Sequence, residues 1–237
     1  VLNAMSKGAL DVKPLITERI PLIDYQKIYG DMGNSKSIAS ILEYNATEEP
    51  TSTVTITPKS FEGKKGVIGI IGAGNFTSAT VLPNLKKLNA SIKYIASSGG
   101  LSSTTMAKKY KIVNSTTNYK EILNDTEVDL VFITTKHHMH APMVLETLKA
   151  GKSVFVEKPL ALTKIELDEI SEQYHKQNVN VSVGYNRRFA PLAKKMKSLL
   201  GNDNTPMNII ATMNAGFIPA NVWVQDMEVG GGRIIGE

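Results

Sequence analysis

The 237-residue sequence contains no cysteine. This absence excludes a disulfide framework, thiolate catalysis and every cysteine-ligated zinc site, so a metal ion would depend on His, Asp and Glu side chains. Histidines do stand close together at His137, His138 and His140. Their spacing is compressed for a loop site and no carboxylate nearby completes a ligand set. We therefore predict no metal site.

Arginine is also scarce, and it is confined to Arg19, Arg187, Arg188 and Arg233. The net charge of +5 therefore comes mostly from lysines dispersed along the sequence. Proteins that bind nucleic acids usually concentrate arginine and lysine on one face. The scattered charge predicts solvated surfaces with some bias toward anionic small molecules, and no nucleic-acid partner.

Long apolar runs are absent as well. No stretch approaches the roughly 18 uninterrupted apolar residues of a membrane span, and the first residues lack the order of a signal peptide. Apolar residues make up 42% and charged residues 21% of the sequence, which is typical of a globular chain with a core. We expect a cytoplasmic enzyme without a membrane partner.

The first 66 residues differ in composition from the rest of the chain. Residues 1–44 predict a short helix preceded by Asp24 as its cap, and a short strand over Ser37–Leu42. Residues 45–66 are rich in Thr, Ser, Glu, Pro, Gly and Lys, which predicts a linker. Within that linker the alternating stretch Thr53–Thr57 could pair as an edge strand, although flanking prolines limit it.

From residue 67 to residue 185 a short apolar strand is repeatedly followed by a turn and an amphipathic helix. This alternation predicts an α/β fold with a Rossmann-type, doubly wound parallel sheet. Ligands in such sheets bind outside the carboxyl ends of the strands. The predicted strands are Val67–Ile71, Ser91–Ala96, Val128–Thr134, Ser153–Val156 and Val179–Val183.

The first of these strands runs directly into a glycine-rich turn and a helix. Gly72 permits the tight turn, Gly74 lets the backbone approach a pyrophosphate, and the helix start offers free amide groups to that anion. Thr77 replaces the third glycine of the usual pattern. The turn predicts a dinucleotide, NAD or NADP, bound by Gly72, Ala73, Gly74, Asn75 and Phe76.

The second strand is followed by Ser97 and Ser98, where an NAD site usually has an acidic residue for the ribose. Two hydroxyls can donate to a 2′-phosphate and no carboxylate repels it, but no arginine follows to clamp it. We predict that Ser97 and Ser98 bind the cofactor, with a slight preference for NADP, while NAD and dual use stay open. After the strand Val128–Thr134, we predict contacts with the nicotinamide side from Thr134, Thr135 and His140.

The sharpest pattern is Glu157-Lys158-Pro159. Together with Gly72–Asn75, Thr135–His140 and Gly184–Pro191, it resembles the glucose-fructose oxidoreductase and inositol dehydrogenase family (Gfo/Idh/MocA) over residues 67–237. The resemblance implies an NAD(P)-dependent oxidoreductase that moves hydride between nicotinamide and a secondary alcohol of a carbohydrate-like substrate. It implies that Lys158 is catalytic and orients or polarises the reacting oxygen, and that the Lys158–Pro159 peptide is cis. Glu157 and Lys158 would border the cofactor, and Glu157 would tune Lys158 or brace the turn.

The same resemblance makes residues 186–237 the beginning of an α+β domain with a mainly antiparallel sheet. Asn186 and Arg187 are then candidate substrate contacts beside Lys158. A helix is expected over Pro191–Leu200, and a first strand over Met207–Met213. In the family a proton-exchanging histidine follows the stretch that matches Gly230–Gly232, and no histidine here matches it. We therefore expect an incomplete, catalytically impaired chain, and a homo-oligomer.

The first residues carry a second, weaker resemblance. The run from Gly8 to the strand ending near residue 44 resembles the carboxyl-terminal end of zinc-type, medium-chain alcohol dehydrogenases, without their active site; the alternative is a helix and strand of no special ancestry. Two other functions also stay open for the whole chain. One is an NAD(P)-binding sensor or scaffold without turnover, and the other is an imine or enoyl-type reductase of similar fold.

Overall fold

The structure is a computed structural model. It describes residues 1–30, 36–44, 51–200, 206–214 and 216–236. These residues form two compact units, Val1–Thr51 and Ser52–Glu237. The second unit contains both the glycine-rich turn and Lys158, so it carries the candidate site. Across the described ranges, no helix combines the length and apolar character that a membrane crossing requires.

The first unit is built around a pair of parallel strands. Helix α1 (Leu2–Ser6) precedes strand β1 (Ile16–Pro21), and helix α2 (Tyr25–Tyr29) precedes strand β2 (Ala39–Glu43). Strands β1 and β2 pair in parallel. The short strand predicted near residues 37–42 is therefore present with slightly shifted bounds.

Asp24 does not cap helix α2 as predicted. Its φ of −93° and ψ of 12° lie outside the extended region that a capping residue usually takes, and its side chain makes no capping hydrogen bond. The carboxylate lies 3.1 Å from Nζ of Lys27 instead.

A seven-stranded sheet forms the centre of the second unit. Its strands are β3 (Thr53–Thr55), β4 (Ile68–Ile71), β5 (Ile92–Ala96), β6 (Asn114–Thr116), β7 (Leu130–Ile133), β8 (Ser153–Val156) and β9 (Val181–Val183). Their spatial order is β3-β6-β5-β4-β7-β8-β9, and β3 alone is antiparallel to its neighbour. The predicted doubly wound parallel sheet is confirmed. The strand order reverses between β4 and β7, which is where such sheets bind ligands.

Strand β6 is absent from the sequence-based prediction. Its residues Asn114, Ser115 and Thr116 are polar yet buried, whereas a buried strand is recognised in a sequence by its apolar side chains. Hydrogen bonds compensate for the burial of these polar groups. Ser115 Oγ donates to Ser103 Oγ at 2.9 Å, and Thr55 Oγ1 donates to Asn114 Oδ1 at 2.9 Å.

Helices cover both faces of this sheet. On one face lie a π-helical turn (Thr77–Val81), helix α3 (Leu82–Lys87) and helix α4 (Leu101–Tyr110), whose apolar residues cluster with Ile70 and Ile95. On the other face lie α5 (Lys120–Asn124), α6 (His140–Lys149) and α7 (Lys164–His175), which cluster with Val131 and Val156. Alternate side chains of each central strand therefore enter two separate cores.

Part of the predicted linker belongs to the second unit. Strand β3 pairs with β6, as the alternating pattern over Thr53–Thr57 suggested. Phe61 is 1% exposed and packs with Val67 and Val113. The linker prediction covers residues 45–66, but this second half packs against the sheet; residues 45–50 lie outside the described ranges.

The end of the described chain departs further from expectation. Helix α8 (Pro191–Leu200) is present as predicted, and helix α9 (Gly232–Gly236) follows the glycine-rich stretch. The strand predicted over Met207–Met213 is not formed, and that prediction is wrong for the described residues 206–214, which are exposed. A strand persists when a neighbour pairs its backbone groups, and no described strand pairs with this segment.

Candidate functional site

A crevice of about 920 Å³ opens at the carboxyl ends of β4, β5, β7 and β8. All of the predicted cofactor-binding residues line it: Gly72, Ala73, Gly74, Asn75, Phe76, Ser97, Ser98, Thr134, Thr135, His140, Glu157 and Lys158. The other lining residues are Ile71, Ala96, Ser102, Thr117, Tyr119, Lys136, His137, His138, Met139, Met143 and Trp223. The structure therefore brings together groups that are far apart in the sequence.

The glycine-rich turn after β4 forms one wall of the crevice. Gly72 has φ +113°, and a Cβ there would lie 2.7 Å from Thr134 Oγ1, so only glycine fits between the ends of β4 and β7. At Gly74 a Cβ would meet nothing within 4 Å. The backbone at Gly74 therefore faces open space, as a site for a pyrophosphate requires.

Thr77 has a structural reason to replace the third glycine. Its side chain is fully buried. The hydroxyl donates to the Gly72 carbonyl at 2.7 Å and lies 2.7 Å from Thr134 Oγ1. Thr134 Oγ1 in turn donates to the Gly72 carbonyl at 2.9 Å. These hydroxyls hold the glycine turn against the end of β7.

The residues after β5 offer hydroxyl groups. Ser97 Oγ donates to Ser103 Oγ at 2.9 Å, so it is engaged inside the protein. Ser98, Ser102 and Thr117 are exposed at the crevice. Among the described lining residues the single carboxylate is that of Glu157 after β8. The end of the crevice next to α4 is thus polar without being acidic.

Glu157 and Lys158 follow β8 directly. The Lys158–Pro159 peptide is cis, as the sequence resemblance implied. Lys158 Nζ donates to the Gly236 carbonyl at 2.5 Å. A Cβ on Gly184 would lie 2.6 Å from Glu157 Oε1, so the missing side chain leaves room for this carboxylate. Burial raises the pKa of Glu157, while the amide and the charge of Lys158 oppose that shift.

His140 lies inside the protein with both ring nitrogens engaged. Its ring is 0% exposed, with Nδ1 2.7 Å from the Pro159 carbonyl oxygen and Nε2 3.1 Å from that of Thr135. Burial lowers the pKa of His140, although these two carbonyls act in the opposite direction. The polar atoms of the ring are therefore directed at backbone groups, and the nicotinamide contact stays a prediction.

His137, Trp223 and Lys136 belong to the part of the lining that was not predicted as a site from the sequence. His137 Nδ1 lies 2.7 Å from the Gly230 carbonyl oxygen, and its ring meets Trp223 edge to face at 4.8 Å. Burial lowers the pKa of His137, and the nearby Lys158 charge adds to that effect. Lys136 Nζ lies 6.0 Å from the centre of the Trp223 ring. In the described residues 206–214 and 216–222 no strand leads into Trp223, so the strand-end rule did not identify it. The single clue in the sequence was its place seven residues before Gly230.

The predicted substrate residues Asn186 and Arg187 stand apart from the crevice. They lie in an exposed 3₁₀ turn, Asn186–Phe189, and neither is among the lining residues. Arg187 Nη1 lies 3.0 Å from Met213 Sδ. Within the described ranges, His, Asp and Glu side chains form no group of three or more that could hold a metal ion.

Comparisons with known proteins agree with this geometry. Residues 67–185 match the family described as "Oxidoreductase family, NAD-binding Rossmann fold", Gfo/Idh/MocA. The uncharacterized oxidoreductase YrbE of Bacillus subtilis is 34% identical over 140 residues, which cover 59% of this chain and 41% of that protein. The myo-inositol 2-dehydrogenase of Thermotoga maritima is 32% identical over 136 residues, which cover 57% and 40% of the two chains.

A crystal structure of a probable dehydrogenase from Thermotoga maritima superposes with a TM-score of 0.54 at 30% identity, over 56% of this chain and 40% of the other. The chain thus spans less than half the length of these relatives. The family match covers six of the seven strands of the sheet, the glycine-rich turn and Lys158 together. The chain belongs to the Gfo/Idh/MocA family of oxidoreductases.

Proposed function

We propose that this chain binds NAD or NADP in the crevice and serves hydride transfer between nicotinamide and a CH–OH group of a sugar, inositol or nucleotide sugar. One observation carries the proposal. The open backbone at Gly74 and the ammonium of Lys158 line the same crevice, at the point where the strand order of the sheet reverses. A dinucleotide and a reacting oxygen would therefore meet there.

Each part of the crevice suits one part of the cofactor. Free amides after β4 would hold the pyrophosphate, the residues after β5 would meet the ribose of the adenosine, and the Thr134–Thr135 end would adjoin the nicotinamide. The bound nicotinamide accepts or supplies the hydride. Lys158 Nζ would donate a hydrogen bond to the substrate oxygen, which stabilises the negative charge that develops as the carbonyl is reduced.

The cofactor preference rests on the hydroxyl groups of the ribose end. Ser98, Ser102 and Thr117 can donate to a 2′-phosphate, and no carboxylate among the described lining residues adjoins them. Both features favour NADP slightly over NAD. A carbohydrate-like substrate is proposed because a relative that is 32% identical over 136 residues is a myo-inositol 2-dehydrogenase.

Other predictions about the chain remain proposals. They include the kinship of residues 1–44 with zinc-type alcohol dehydrogenases, the homo-oligomer, and substrate contacts from Asn186 and Arg187. The Lys158 role and the ribose contacts are proposals of the same kind, supported by the geometry of the crevice.

Calorimetry with NADPH and NADH tests the proposed function. We expect the chain to bind at least one of the two, and Gly74→Val to weaken binding about 100-fold or more because the new side chain fills the pyrophosphate position. Since nothing lies within 4 Å of a Cβ at this position, the variant should keep its fold. Equal binding by Gly74→Val, or no heat from a folded chain with either dinucleotide, would refute the proposal.

Turnover is then measured with inositols, hexoses and nucleotide sugars. Lys158→Met should retain dinucleotide binding and lose hydride transfer by about 100-fold or more. Lys149→Met, at an exposed position at the end of α6 and outside the crevice, is the matched control and should change neither. Equal turnover in the parent chain and in Lys158→Met would contradict this role of Lys158, whereas dinucleotide binding without turnover fits both the sensor alternative and the catalytically impaired chain expected from the sequence.

A further inference from the structure

His140 bridges two strand ends that border the crevice. It begins helix α6, and its buried ring lies between the Thr135 carbonyl beyond β7 and the Pro159 carbonyl beyond β8. Strands β7 and β8 are neighbours in the sheet. The ring therefore fixes the separation of two loops whose side chains point toward the same space.

The two contacts of the ring are not equivalent. A neutral imidazole has one N–H and can donate to only one of the two carbonyls. Burial favours the neutral ring, and the neighbouring His137 and His138 add to this preference. The Nδ1 contact with Pro159 is 2.7 Å and the Nε2 contact with Thr135 is 3.1 Å. Because the Nδ1 contact is the shorter of the two, we assign the single proton of the neutral ring to Nδ1, which donates to the Pro159 carbonyl.

Pro159 is the residue next to Lys158, and its own side chain is buried. Holding its carbonyl restrains the backbone from which the lysine side chain extends. The lysine ammonium is in turn fixed at its far end by the Gly236 carbonyl. A loosened Pro159 would shift the start of the side chain and break that hydrogen bond.

We propose that His140 is a positioning residue, whose Nδ1 proton holds the Pro159 carbonyl and thereby places the Lys158 ammonium in the crevice. This inference rests on the proposed function, in which Lys158 acts on the substrate oxygen. It assigns His140 an indirect role, through Lys158, in place of direct contact with the cofactor.

The test is the chemical reactivity of Lys158 in the 237-residue chain. The protein is treated with limiting acetic anhydride, and peptide mass spectrometry gives the acetylation of Lys158 relative to Lys149. Lys149 is exposed at the other end of α6, so it reports any general movement of the helix.

Three variants separate the two contacts. In His140→Asn the amide nitrogen lies close to the position of Nδ1, in His140→Gln it lies close to that of Nε2, and His140→Leu removes both. We expect Asn to keep the Lys158 to Lys149 ratio within about twofold of the parent chain, and Gln and Leu to raise it about threefold or more as the ammonium is released.

An unchanged ratio in folded His140→Gln would overturn the proposal, as would a raised ratio in His140→Asn. Thermal melting of each variant verifies the fold, and the Asn and Gln pair decides the outcome if the leucine variant does not fold. The measurement needs no dinucleotide. Calorimetry with NADPH on the parent chain therefore reports separately whether the proposed function itself fails.

Discussion

Ser98 is the residue at which cofactor choice is most open to experiment. It is exposed at the crevice, two residues after the end of β5, where we propose that the ribose of the cofactor binds. Acidic residues at this point bind the ribose hydroxyls of NAD and repel the 2′-phosphate of NADP. Ser98 has the hydroxyl needed for a phosphate and lacks the charge that would repel it.

Replacing Ser98 with aspartate should therefore reverse the selectivity. We expect Ser98→Asp to shift the ratio of the NADP and NAD dissociation constants toward NAD by about tenfold or more, since a charged hydrogen bond contributes ~1.5 to 3 kcal/mol. Calorimetry with both dinucleotides measures the ratio. Ser98→Asn has a similar shape without charge and should leave it nearly unchanged; a shift of equal size in both variants would count against a charge effect.

Single residues were predictable from the sequence where they directly follow a strand. Gly74, Ser98, Thr134 and Lys158 each stand just beyond a strand end, and parallel strands bring those ends to one edge. Trp223 was missed because it reaches the crevice from a segment without regular structure before it. The role that we propose for Lys158 came from the family resemblance and could not be derived from spacing.

At the scale of elements, a group of buried and half-buried hydroxyls joins the residue after β5, helix α4 and strand β6. Ser97 and Ser115 both donate to Ser103 Oγ at 2.9 Å, and Thr104 Oγ1 lies 2.9 Å from Ser115 Oγ. Ser103 itself donates to the Gly100 carbonyl at 2.9 Å. This network fixes the turn between β5 and α4, on which Ser98 lies.

Ser103→Ala tests the network. Loss of the Ser103 hydroxyl leaves the buried Ser115 hydroxyl and the half-buried Ser97 hydroxyl with fewer partners, so the free energy of unfolding should fall by ~1 to 3 kcal/mol. Dinucleotide binding should weaken as the turn loosens. Ser102→Ala removes the same group from the neighbouring exposed position and should leave stability unchanged within ~0.5 kcal/mol in urea unfolding. Equal stability of the two variants would show that the network contributes little.

Strands of the sheet were predicted from the sequence where apolar residues dominate them. Strands β4, β5, β7, β8 and β9 are apolar and were all predicted. Strand β6 is polar and escaped detection, because its burial is supported by hydrogen bonds that involve distant residues. The opposite error occurred at Met207–Met213, where an apolar stretch predicted a strand but no described strand pairs with it. Apolar pattern identifies a strand only when a partner is present.

For the whole molecule, the second unit begins earlier than the family match. Strand β3 and the buried Phe61 both precede Val67, yet both pack on the sheet. The Nζ atoms of Lys59 and Lys64 lie 5.4 Å and 5.9 Å from the centre of the Phe61 ring. The folded unit therefore includes residues 52–66, which precede the start of the family match.

Shortened chains should show this difference. A chain that starts at Ser52 should keep the second unit folded and bind dinucleotide within about twofold of the parent, since Ser52–Glu237 is a compact unit that contains the crevice. A chain that starts at Val67 loses β3 and Phe61, and its free energy of unfolding should fall by about 3 kcal/mol or more. Urea unfolding followed by circular dichroism compares them; equal stability would show that residues 52–66 are dispensable.

The chain contains a single tryptophan, and Trp223 lies in the crevice wall against His137. Reduced nicotinamide absorbs light in the range where tryptophan emits. With excitation at a wavelength that the eight tyrosines do not absorb, occupancy of the crevice by a reduced dinucleotide should therefore quench the fluorescence by energy transfer, and the signal would come from this one position. The protein thus carries its own optical reporter for filling of the site, without any added dye.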